Sequence, residues 1–75
     1  MAHPSQELTT AIWRMTALGF SYDEVALALH EIGQPHPQGQ SWSGPVTRAL
    51  LLTVFGRLPR PGELEVPVPL AARLN

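Results

Sequence analysis

Apolar residues recur with helical spacing along the first three quarters of the chain. Leu8, Ala11, Ile12, Met15 and Leu18 stand at i, i+3, i+4, i+7 and i+10, one face of an α-helix. Ser5, after Pro4, can cap its start and Gly19 can close it in a left-handed conformation, which predicts a helix over 5–18. Trp13 lies off that face and is expected to cover a neighbouring loop or to meet a partner. A second helix is predicted over 21–32, opened by the capping box Ser21-Tyr22-Asp23-Glu24 and closed by Gly33. Tyr22, Val25, Ala28, Leu29 and Ile32 form its expected inward stripe, whereas Leu27 points the other way. Asp23 and Glu24 suit the positive end of the helix dipole, so they read as structural carboxylates rather than an acid–base pair.

Residues 34–41 hold two prolines and a glycine and are expected to form a loop. A third helix is predicted over 44–55, with Pro45 tolerated in its first turn. Val46, Ala49, Leu50 and Val54 make one apolar face of it, and Leu51, Leu52 and Phe55 make a second. A helix apolar on two sides is covered twice, so Leu51, Leu52 and Phe55 are candidates for an interface with the tail or with a second copy in a homodimer. After Gly56 the pattern changes. Leu64, Val66 and Val68 alternate with Glu65 and Pro67, the two-residue period of a strand, but Pro67 and Pro69 leave only an edge strand or a polyproline segment. Leu70 to Leu74 can add a helical turn. The expected fold is mainly α, a small three-helix helix-turn-helix domain over 1–56 with a Pro-rich extended tail over 57–75 that packs on the domain or on a partner subunit.

Seventy-five residues suffice for one small core, and a 44% hydrophobic content argues against a wholly disordered chain. No apolar run approaches the ~20 residues that span a bilayer, and the first residues lack the pattern of a secretory signal. With no cysteine there is no disulfide framework, which fits a reducing cytoplasm. Formal net charge is −1, and all five basic residues are arginine, a bias consistent with GC-rich coding. A near-neutral domain lacks the basic excess of most nucleic-acid binders.

Chemistry-bearing clusters are few. Ser5, Ser21, Ser41 and Ser43 fall at helix starts or loop ends and read as caps or turn residues, not nucleophiles. His3, His30 and His36 match no familiar metal-ligand spacing. His30 is expected to be a surface contact and His36 a solvated loop residue. No cofactor is implied.

The order of parts from residue 18 to residue 50 resembles the helix-turn-helix segment in the DNA-binding domain of large serine recombinases. The register is carried by Gly19 and Ser21, Val25-Ala26, Leu29-His30, Gly33, Pro35, Pro37, Gly39 and Trp42-Ser43, with Val46 and Leu50 one position early for the family's last helix. The resemblance implies that Trp42 is buried against the second or third helix. It also implies that the outward side of the second helix, Tyr22, Asp23, Ala26, Leu27 and His30, enters a major groove, where Asp23 is disfavoured near phosphate. The family's loop arginine is Gln38 here, a residue often basic before the tryptophan is Ser41, and the paired basic residues of the third helix survive only as Arg48. The family's catalytic domain has no counterpart in these residues.

Two functions follow as expectations. The first is a non-enzymatic, regulatory or recombination-accessory protein of a phage or mobile element that binds duplex DNA through Tyr22, Ala26, Leu27, His30, Gln38, Gln40 and Arg48. The second is a protein-interaction module that turns the outer faces of the second and third helices, with Leu27, Leu51 and Phe55, towards a host or phage protein. Motif register supports the first, and charge supports the second.

Overall fold

A computed structural model describes residues 5–73, so His3, Pro4 and Leu74 lie outside the described residues. Three helices follow the predicted order: α1 over Gln6–Ala17, α2 over Tyr22–Glu31 and α3 over Gly44–Phe55. A single turn, α4, occupies Leu70–Arg73. There is no strand among the described residues, and no helix is long and apolar enough to cross a membrane.

Local chemistry sets the helix ends. The hydroxyls of Ser5, Ser21 and Ser43 accept hydrogen bonds from the backbone N–H groups of Leu8, Glu24 and Val46. At Ser21 the box is complete, because Glu24 Oε1 accepts the Ser21 N–H at 2.9 Å. The exits of α1 and α2 repeat one device. Phe20 N–H bonds Met15 O and Gly19 N–H bonds Thr16 O; Gln34 N–H bonds Leu29 O and Gly33 N–H bonds His30 O. Both glycines have positive φ, 107° and 72°, as this paired-bond exit requires.

One core gathers Leu8, Ile12 and Trp13 from α1, Val25 and Leu29 from α2, and Leu50, Leu51 and Phe55 from α3. The α1 face is rotated from the predicted one. Thr9, Trp13 and Ala17 are buried, whereas Ala11 is exposed and Leu18 is 65% exposed. The cause is the indole of Trp13, the largest apolar surface on the helix, which is fully buried edge-on to Phe55 with ring centroids 5.0 Å apart. Threonines complete the stripe by hiding their hydroxyls on their own helix: Thr9 Oγ1 donates to Ser5 O, Thr16 Oγ1 to Ile12 O and Thr47 Oγ1 to Ser43 O. On α2 the inward positions are Val25, Ala26 and Leu29 with Tyr22 half-buried, while Ala28 is exposed and Ile32, carried off by the Gly33 exit, is 75% exposed.

The two-sided apolar character of α3 is resolved within the chain. Leu51 and Phe55 are sealed in the core, and Leu52 is half-buried. Leu58 and Val66 pack against the same cluster, so one core crosses the expected boundary at residue 56. An oligomer interface built on Leu51 and Phe55 would require opening that core.

Residues 57–69 form neither helix nor strand. Of the two expected forms, the edge strand is absent; this segment is fastened to α1 through its carbonyls, which suits a stretch whose prolines cannot donate. Trp13 Nε1–H donates to Glu63 O at 2.8 Å, Arg14 Nε–H to Leu64 O at 3.3 Å, and Gly62 N–H reaches back to Ala17 O at 2.8 Å. The Arg57 guanidinium lies 5.1 Å from the Trp13 ring centroid and forms a two-pronged ion pair with Glu63. That pair, aided by the Arg60 N–H, holds the Glu63 carboxyl down at about 2.

Two outcomes follow. Trp13→Ala removes the core's largest side chain and should cost about 3–5 kcal/mol, against roughly 4–11 kcal/mol for a domain of this size. Its urea unfolding midpoint should therefore drop by a large fraction; an unchanged midpoint would remove Trp13 from its central place. Glu63 has a depressed folded pKa, so its contribution is complete above about 4.5 and is lost as pH falls towards 2. Thermal melts across pH 2–5 should show a steeper acid loss for the wild-type chain than for Glu63→Gln, and parallel curves would exclude the clasp from the acid response.

Candidate interaction surface

The outer side of α2 is set by what its inner side buries. With Val25, Ala26 and Leu29 committed to the core, the helix turns Asp23, Glu24, Leu27, His30 and Glu31 outward. Leu27 is 57% exposed in the middle of this side. Its neighbours one turn away, at i−4, i−3, i+3 and i+4, are Asp23, Glu24, His30 and Glu31. An isolated apolar side chain is thus surrounded by three carboxylates and an imidazole. Bonds from the Ser21 backbone and hydroxyl lower the Glu24 carboxyl below its ordinary value, so it carries its charge throughout the neutral range.

The loop from Gln34 to Ser43 forms the opposite wall. Trp42 is half-buried, and its Nε1–H donates to Gln34 O at 2.6 Å, which ties the two ends of the loop together. His36 is buried rather than solvated, packed edge-on against Trp42 at 4.9 Å between ring centroids. Its Nδ1 accepts the Gln38 N–H at 3.0 Å, and burial pushes its pKa below the usual value. The compact turn explains the burial: Gly39 N–H bonds His36 O at 2.9 Å, folding the histidine under the loop.

Between α2 and this loop runs an open groove of about 740 Å³. It brings together Leu27, His30 and Gln40 of the sequence-derived candidates, with Trp42 and Pro45 on the far wall. Ala26 belongs to its floor but is only 4% exposed, so it is a packing residue and not a contact; without bulk, it lets the segment leading into α3 close over it. Tyr22 and Arg48 line a neighbouring cleft of about 510 Å³ that shares Asp23, Gly44 and Pro45 with the first. Gly44 lets the Asp23 side chain lie close at this junction, where a Cβ would oblige Asp23 Oδ1 to swing aside. Gln38 lies apart from these on a third groove, beside α3, which Gln40 also borders. Leu51, Leu52 and Phe55 contribute to none of the three grooves.

The His36–Trp42 pair and Pro45 were not among the sequence-derived contacts. Gly39, immediately before Gln40-Ser41-Trp42, is the one local signal, since a turn there brings the histidine and tryptophan edge to face. Among the described residues no three His, Cys, Asp or Glu side chains cluster closely enough to hold a metal ion.

Electrostatics separate the two faces of the candidate surface. The α2 side carries three of the chain's six carboxylates and no arginine, while Arg48 stands across the junction on α3. The recombinase resemblance rests on the residues quoted for it: no protein family matches the chain, and neither a curated protein nor a solved structure matches it.

Proposed function

We propose that this chain is a non-enzymatic protein-interaction module that binds a partner protein through the outer side of α2 and the groove beside it. One observation carries the reading: Leu27 is well exposed at the centre of α2 with Asp23, Glu24 and Glu31 one turn away. An apolar centre inside a polar rim is the anatomy of a protein interface, where the central side chain enters a pocket and the rim excludes water. The same surface is poorly suited to phosphate. Inserting α2 into a major groove would bring its carboxylates towards the DNA backbone, with one arginine nearby to release counterions.

Duplex DNA is the second reading, favoured by Tyr22 and Arg48 lining one cleft at the start of α2. That pair offers a hydroxyl and a guanidinium, enough for one phosphate contact and a base-edge contact.

Leu27→Asp separates the readings. An exposed substitution of this kind changes stability by about 0.5 kcal/mol or less, so the melting temperature should hold while capture of a stoichiometric protein partner from the native host is lost. Arg48→Ala should leave that capture intact. Titration of duplex DNA at ~50 mM salt should show no binding; saturable binding weakened by Arg48→Ala and indifferent to Leu27→Asp would overturn the protein reading and establish the DNA one.

A further inference from the structure

The groove beside α3 has features that the partner-binding surface does not use. It measures about 680 Å³, within the range of small-molecule sites. Its floor is Val46, Ala49, Leu50 and Val54, and its rim carries the amides of Gln6 and Gln38. No Asp, Glu, Lys or Arg lines it among the described residues.

His36 forms part of its wall and is 8% exposed. Nδ1 accepts the Gln38 N–H, so in the neutral ring the proton resides on Nε2. Among the described residues nothing accepts that proton, although Nε2 is not sealed off from the outside. Although the residue as a whole is buried, Nε2 keeps contact with the outside, so its N–H is open to an acceptor that the chain does not supply.

The geometry points to a binding site for a neutral, largely apolar small molecule that presents a carbonyl oxygen to His36 Nε2–H. The apolar floor takes the body of the ligand, and the glutamine amides meet further polar atoms at the rim. A carboxylate or an ammonium ligand would enter a wall with no charge to oppose its own, at a desolvation cost that nothing there offsets. This site is separate from the Leu27 surface, although His36 and Gln40 border both grooves.

The test is a titration of the isotopically labelled chain by NMR with acetophenone, ethylbenzene, benzoate and benzylammonium as probes. Acetophenone should shift the resonances of His36, Val46, Leu50 and Val54 and bind roughly three- to tenfold more tightly than ethylbenzene, the worth of one neutral hydrogen bond. Benzoate and benzylammonium should bind more weakly than acetophenone. Ala49→Arg, at an exposed position on the floor, should abolish binding of acetophenone while the melting temperature holds. His36→Phe should equalise the ketone and the hydrocarbon. Leu27→Asp should leave the titration unchanged, so this site and the partner surface fail or succeed separately. Equal affinity for acetophenone and ethylbenzene, shifts centred elsewhere, or none up to the solubility limit would overturn the assignment.

Discussion

Everything in this fold is arranged around the indole of Trp13. It is fully buried, rests edge-on against Phe55 of α3, lies beneath Arg57, and gives its N–H to the Glu63 carbonyl. All three partners come from one later stretch of the chain, far in sequence from α1, and an aromatic with a polar edge can serve all three. The apolar body fixes how α1 is rotated on α3, and the N–H fixes where the following segment returns. Once α1 is rotated to bury Trp13, Thr9 must go inside and Ala11 must go out.

This centre also accounts for the division between a closed side and an open one. The Leu51 and Phe55 face of α3 is closed by the core shared with α1 and by Leu58 and Val66, while Val46, Ala49 and Val54 border the groove on its other side. α2 has no such cover on its outer side, and Leu27, the large apolar residue exposed within the helix, is held at a position where its neighbours are charged. The loop wall opposite is made stiff by two local bonds, Trp42 to Gln34 and Gln38 to His36. No buried side-chain nitrogen or oxygen among the described residues is left unsatisfied, which is what a rigid scaffold requires.

Helix positions were legible because they depend on neighbours in sequence. Ser5, Ser21 and Ser43, with Gly19, Gly33 and Gly56, place each boundary within a residue or so of the predicted one. Helix faces were less legible. Apolar counting treats threonine as polar, yet Thr9 and Thr47 are buried because a helix offers their hydroxyls a carbonyl one turn back. It also sets Ala28 inside and Ala26 outside, the reverse of what packing against the other elements imposes. At the candidate surface, exposed Leu27 and His30 could be read from α2 alone. Buried His36 could not, since its position follows from a turn and from contact with Trp42. The alternation from Leu64 to Val68 suggested a strand, but a strand needs a neighbouring edge, and α1 offers side-chain donors instead.

The bond between Trp13 and Glu63 joins residues fifty positions apart, and that separation has a kinetic meaning. Helix ends fixed by caps three or four residues away can form on the timescale of local chain motion. Closing a loop of this length is entropically expensive and is repaid only when both ends are already in place. By this argument the segment after α3 is expected to dock late in folding and open early, and its release would open part of the cluster that holds Phe55 and Leu51. The exposed lifetime of that apolar pair, more than the stability of any helix, sets how readily a nascent or stressed chain is engaged by chaperones, cut by proteases or drawn into aggregates.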